Sequence, residues 1–138
     1  MWSGLISRYR GDDMGRTYEA KSKKAKGNLG RNFDVNISGA DILGCLMKAV
    51  GEHSKSIEEN SKKYGITDRM PCTRFKMPKK DCLRAAKRLK ALTDDEMKVA
   101  FERCEFCFEH GSTVDVLKEF AAEWIAFLET CGGYNVPG

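Results

Sequence analysis

The residues with the clearest potential for chemistry are two cysteines and a histidine near the C-terminus, in the arrangement Cys104-x-x-Cys107-x-x-His110. Thiolate and imidazole groups are zinc ligands, and two-residue gaps between ligands are common in zinc sites. However, all three residues fall within a segment of helical periodicity, which spreads their side chains around the helix, whereas most Cys-x-x-Cys zinc sites use a tight knuckle. We therefore interpret Cys104 and Cys107 as core side chains and retain a metal or thiol site as a third hypothesis.

Other catalytic arrangements are weaker. His53 lies on an apolar stripe between Val50 and Ile57, where a hydrogen-bonded core histidine is the usual outcome. A nucleophilic pair of Cys45 with His53 would need tertiary proximity across two helical turns. The chain contains no nucleophile elbow, no phosphate-binding loop ending in Gly-Lys-Ser/Thr and no dinucleotide glycine motif. We predict no catalytic residues, no cofactor and no metal.

The composition indicates a soluble domain with reduced cysteines. The chain has 138 residues, of which 41% are hydrophobic and 32% charged, and this suits one domain with its own core. Six cysteines would suit a disulfide scaffold, but no signal peptide is recognisable and a core of this size needs no disulfides. No apolar run approaches the roughly 20 residues of a membrane span. We expect a cytoplasmic protein without membrane contact, with residues 1–15 a flexible lead-in and residues 16–138 one globular domain.

Charge is separated along the chain into two opposed poles. Residues 62–90 carry eleven Lys and Arg against two Asp. Residues 93–130 carry ten Asp and Glu against three Lys and Arg, so the net charge of +4 conceals the separation. Such poles influence association and steering more than fold, and they predict a protein that works by contact.

Periodicity predicts an α+β fold, mostly helical, with about four helices and a small sheet of two or three short strands. The strands are expected within residues 16–37 and 73–77, where apolar and polar residues alternate. Pro78 suits the first turn of a helix. One side of that helix is apolar and the opposite side is basic. The apolar residues are Cys82, Ala85, Ala86, Leu89 and Leu92, and the basic residues are Lys80, Arg84, Lys87 and Arg88.

The acidic C-terminal part is predicted to form an antiparallel helical hairpin. Thr93 with Glu96 resembles a capping box that opens a helix, and a second helix ends near Cys131. The tail after Gly133 is interpreted as irregular. Val99 and Phe106 lie outside the core stripe, so they form a candidate patch for a partner or for a homodimer.

The favoured hypothesis is a non-catalytic binding or regulatory protein that contacts a protein or a protein–nucleic acid complex through its basic face. Small basic proteins of this kind include phage and mobile-element inhibitors of host defence complexes, acting as antagonists. Direct nucleic-acid binding is the alternative, although aromatic residues for base stacking are few. The same surface also includes five earlier cations if the first hairpin lies beside the third strand, namely Lys21, Lys23, Lys24, Lys26 and Arg31. The predicted partner-binding residues are Arg74, Lys76, Lys80, Arg84, Lys87 and Arg88.

Overall fold

The structure is a computed structural model that describes residues 16–35, 37–52, 75–102 and 114–136. Within these ranges the chain forms four strands and four helices, so the predicted α+β class is confirmed. The elements in chain order are β1 (Arg16–Ala20), β2 (Phe33–Val35), α1 (Ile37–Ala49), β3 (Phe75–Pro78), α2 (Lys79–Lys90), α3 (Asp94–Glu102), α4 (Val114–Thr130) and β4 (Gly133–Val136).

The four strands of the described ranges form one sheet in the order β2-β1-β4-β3, and each neighbouring pair is antiparallel. The last strand, β4, is an inner strand, and its Tyr134 lies opposite both Ala20 of β1 and Met77 of β3. Because β4 is antiparallel to both neighbours, β1 and β3 run in the same direction. Their C-terminal ends therefore lie at the same end of the sheet.

The prediction of two or three strands, with an irregular tail, was wrong. Gly132 and Gly133 have φ values of 67° and 98°, which allow the chain to turn directly from α4 into β4. The described chain thus ends in a strand rather than in a helical hairpin. Helices α3 and α4 do contact each other, but α4 also packs against α2. Residues 103–113, which connect the two helices, lie outside the described ranges.

The core forms between the helices and one face of the sheet. Trp124 of α4 is fully buried, and its ring lies 5.2 Å from that of Tyr18, 5.2 Å from that of Phe33 and 5.7 Å from that of Tyr134. Edge-on aromatic pairs of this kind contribute about 0.5–1.5 kcal/mol each beyond the area that they bury. These contacts fix α4 on the sheet and join β1, β2 and β4 in one cluster.

The apolar face of α2 and the capping box of α3 are confirmed. The buried residues of α2 are Cys82, Ala85, Ala86 and Leu89. Pro78 lies one position before the predicted one, because it is the last residue of β3 and the N-cap of α2 and is not part of the first helical turn. At the start of α3, the Thr93 hydroxyl accepts from the Glu96 amide at 3.1 Å, and the Glu96 carboxylate accepts from the Thr93 amide at 3.0 Å. This is the reciprocal bonding of a capping box.

Candidate functional site

The exposed side of α2 divides into two edges with different chemistry. At 3.6 residues per turn, Leu83 shares one edge with the lysines three residues before it and four residues after it, Lys80 and Lys87. Arg84 and Arg88 lie four residues apart on the other edge. The predicted basic face is therefore a lysine edge and an arginine edge, and the two have different neighbours.

The arginine edge is bound to the chain itself through Glu52. Arg84 donates from Nε to one oxygen of the Glu52 carboxylate at 2.6 Å and from Nη2 to the other at 2.9 Å. Arg88 donates from Nη1 to the same carboxylate at 2.8 Å and to the Val50 carbonyl at 3.2 Å. The Glu52 side chain is 5% exposed, whereas the two arginine side chains are 45% and 49% exposed.

The pairing with Glu52 reduces the number of arginine hydrogen-bond donors that remain available to a partner. The hydrogen bond to Glu52 and the charge of that carboxylate raise the pKa of Arg84 above its ordinary value. Arg84 gives two of its guanidinium donors to this buried carboxylate, and Arg88 gives one, Nη1. Sequence analysis missed Glu52, since a single glutamate after Gly51 belongs to no motif; its only signal is its position directly after a helix.

Two lysine-bearing segments, the loop after β1 and the first turn of α2, meet at the end of the sheet where β1 and β3 terminate. Lys21 follows β1, and its amide donates to the Gly133 carbonyl at 3.0 Å. Gly133 pairs with Pro78, and a Cβ atom built on Gly133 would lie 3.2 Å from the Lys79 nitrogen and 3.4 Å from the Lys21 side chain. We call the lysines of these two segments the lysine cluster, and its members are Lys21, Lys23, Lys24, Lys26, Lys79 and Lys80.

The lysine cluster is held in place by backbone contacts. The Ser22 amide donates to the Cys131 carbonyl at 2.8 Å, and the Lys26 amide donates to the Thr130 hydroxyl at 2.8 Å. The loop after β1 is thereby fixed against the end of α4. All six side chains are exposed, and none of them makes an ion pair with another residue of the described ranges.

The condition set for one basic surface, that the first hairpin lies beside β3, is not met in the sheet. Strand β4 separates β1 from β3. Lys21 nevertheless approaches the start of α2, since β1 and β3 end at the same end of the sheet. Gly133 contacts both Lys21 and Lys79. No local sequence pattern connects these three residues, because they are far apart along the chain.

The remaining predicted residues are distributed as follows. Lys76 is exposed on β3, in register with Asn135. Val99 of α3 is 49% exposed. Several predicted residues lie outside the described ranges, namely Arg74, Phe106, His53, Cys104, Cys107 and His110.

The acidic helices neutralise only a few cations of the described part. Lys90 pairs with Glu129 at 2.5 Å, and Lys118 pairs with Asp94 at 2.8 Å. Neither lysine belongs to the lysine cluster. The C-terminal acidic residues therefore leave the lysine cluster uncompensated within the described residues.

Three cysteines of the described residues are buried free thiols, namely Cys45, Cys82 and Cys131. The hydrogen bond that Cys82 shares with Cys131, together with burial, raises the pKa of the Cys82 thiol. A raised pKa keeps the Cys82 thiol protonated, whereas the same hydrogen bond lowers the pKa of the Cys131 thiol, which is also buried. Among the residues that the structure describes, no three His, Cys, Asp or Glu side chains are grouped as a metal site would require.

Aromatic residues do not supply a surface for base stacking in the described ranges. Every aromatic side chain whose exposure is known there is buried: Tyr18, Phe33, Phe101, Phe120, Trp124, Phe127 and Tyr134. Single-stranded nucleic-acid binding relies on exposed aromatic rings as well as on positive charge. These seven rings are therefore not available for base stacking on the surface.

Comparison with protein-family models, with curated proteins and with solved structures finds no match to this chain. In the described ranges, no helix combines the length and the hydropathy needed to cross a bilayer.

Proposed function

We propose that this chain is a non-catalytic binding protein that docks through its lysine cluster on an acidic surface of a partner protein or protein–nucleic acid complex. The supporting observation is a set of six exposed lysines on two segments that meet at Gly133, the loop after β1 and the first turn of α2, none of which makes an ion pair with another described residue. Concentrated charge of one sign accelerates encounter with a surface of the opposite sign.

The chemistry of the cations favours a protein surface over the bases of a nucleic acid. Arginine is the residue that recognises guanine edges and phosphates with two parallel hydrogen bonds. Arg84 directs two such donors to Glu52 instead, whereas Arg88 directs one donor, Nη1, to the same carboxylate. Lysine is a mobile point charge, which suits an irregular array of carboxylates.

The narrower hypothesis, a phage or mobile-element inhibitor of a host defence complex, adds a biological setting to this proposal. In that setting, the lysine cluster would occupy a nucleic-acid groove on the target. Direct nucleic-acid binding remains the second candidate. The six unpaired lysines favour it through phosphate contacts alone, which weaken steeply as salt rises.

The test is capture of partners from the source cell with two variants of equal charge change. Lys23→Glu/Lys24→Glu alters the lysine cluster, and Lys48→Glu/Lys98→Glu alters exposed lysines elsewhere. We expect the first variant to lose the partner at moderate salt and the second to retain it. Equal recovery with both variants would contradict the proposal.

Nuclease treatment of the captured material distinguishes a protein partner from a nucleic-acid partner. Recovery of the same protein after nuclease treatment supports a protein surface as the target. Loss of recovery after nuclease, together with salt-dependent binding of a labelled oligonucleotide to the purified chain, supports nucleic acid instead. Each variant is first compared with the natural chain by thermal unfolding, so that a folding defect is not mistaken for loss of binding.

A further inference from the structure

Helix α2 carries an exposed leucine surrounded by lysines. The Leu83 side chain is 42% exposed, although it is a large apolar group. Lys79 and Lys80 lie one turn before it and Lys87 one turn after it, and all three are exposed. We call these four residues the leucine patch. It combines an apolar centre with a rim of three positive charges.

Helix α3 carries the opposite arrangement. Val99 is 49% exposed, and the carboxylates one turn before and after it belong to Asp95, Glu96 and Glu102. We call these four residues the valine patch. Among the described residues, three carboxylates border its apolar centre.

The valine patch borders an apolar hollow between α1 and α3. The hollow has a volume of about 320 Å³, and its apolar lining includes Ala49, Leu92, Val99 and Ala100. A second hollow of about 270 Å³ shares Ala49 and Leu92 with the first and extends the groove toward α2. A groove with an apolar floor and a charged rim is suited to an apolar anchor of opposite surrounding charge.

We propose that the leucine patch of one copy of this chain docks on the valine patch of a second copy. Leu83 then enters the groove beside Val99, and the three lysines face the three carboxylates. Pairing of two leucine patches, or of two valine patches, is opposed by like charges. Because each copy carries both patches, two reciprocal contacts related by a two-fold axis close a dimer.

This inference does not depend on the proposed function, although the two surfaces share Lys79 and Lys80. The loop lysines of the lysine cluster remain outside the proposed dimer contact. Self-association of the purified full chain, measured by sedimentation equilibrium without any partner, therefore tests the dimer alone.

Single substitutions at the two apolar centres provide the first test. We expect Leu83→Glu and Val99→Lys each to weaken self-association by about tenfold or more. The new glutamate would face the carboxylates of the valine patch, and the new lysine would face the lysines of the leucine patch. Both residues are exposed, so the variants should keep the unfolding temperature of the natural chain within a few degrees. A natural chain that stays monomeric at high concentration would overturn the proposal, as would unchanged dimerisation of both variants.

A charge exchange provides the second and stricter test. Lys80→Glu/Lys87→Glu makes both patches of one variant acidic, and Asp95→Lys/Glu102→Lys makes both patches of the other basic. We expect each variant alone to be monomeric and an equimolar mixture to dimerise. The matched control is Lys23→Glu/Lys24→Glu, which has the same charge change as the first variant and should dimerise like the natural chain. A mixture that fails to dimerise would refute this pairing of patches.

Discussion

Replacement of Glu52 by glutamine tests whether the paired arginines are part of the fold. Glutamine preserves the shape of the side chain and one oxygen acceptor, but it removes the charge that Arg84 and Arg88 share. Their guanidinium groups then keep an incomplete set of hydrogen bonds around a buried amide. We expect the contact between residue 52 and α2 to weaken, and the free energy of unfolding to fall.

The magnitude follows from the unequal exposure of the partners. Breaking a fully buried ion pair costs about 3–5 kcal/mol, whereas exposed pairs contribute about 0–1 kcal/mol. The Glu52 side chain is 5% exposed, but its two partners are about half exposed and regain water when released. We therefore expect Glu52→Gln to lower the free energy of unfolding by about 2 kcal/mol, or to lower Tm by roughly 6–10 °C for a chain of this size.

The assay is urea unfolding followed by circular dichroism, with Glu129→Gln as the matched control. Glu129 makes one exposed ion pair with Lys90, so the same chemical change there should cost no more than about 0.5 kcal/mol. The reasoning is refuted if Glu52→Gln and Glu129→Gln change the free energy of unfolding by the same small amount.

Three further predictions concern the capping box, the turn into β4 and the buried thiols. Hydrogen bonds with Thr93 lower the pKa of Glu96 below its ordinary value. The stability that these bonds add is therefore complete above the ordinary glutamate pKa, and it is lost as the pH falls through the lowered pKa of Glu96. In Thr93→Ala, NMR titration should show the pKa of Glu96 higher than in the natural chain, and an unchanged value would contradict the capping box. Gly133→Ala should destabilise the chain more than Gly30→Ala in thermal unfolding. A Cβ atom at Gly133 would lie 3.1 Å from the Met77 carbonyl oxygen. Gly30 has a φ of 63° and open space around it, so alanine there costs only the unfavourable backbone conformation, about 1 kcal/mol. Cys82, whose pKa is raised, should resist alkylation at pH 8 until the chain unfolds; peptide mapping that finds it modified as fast as a free thiol would disprove its burial.

Local patterns were sufficient to predict several elements. The two-sided character of α2 follows from apolar residues at helical spacing, and the capping box at Thr93 follows from two residues three positions apart. In both cases the interacting groups lie within one or two turns of the chain. Strand β4 was missed because Tyr134 and Val136 supply only one alternation, too short for a local signal. Its hydrogen-bonding partners are β1 and β3, which are distant in sequence.

The candidate site shows the same division. The sequence identified the cations of α2 as a group, but it could not sort them into an arginine edge and a lysine edge, because Glu52 lies 32 residues before Arg84 and 36 before Arg88. It also could not place the loop after β1 beside the start of α2. That proximity depends on the position of β4 between the two strands.

The amino-acid sequence by itself determined the α+β class, the buried faces of the helices and the separation of charge, because short-range periodicity and capping act between neighbouring residues. Only the tertiary structure decided which cations are paired within the chain and which remain exposed. The physical reason is that an ion pair or a strand pairing depends on a distance in space between groups far apart along the chain. No local pattern records that distance.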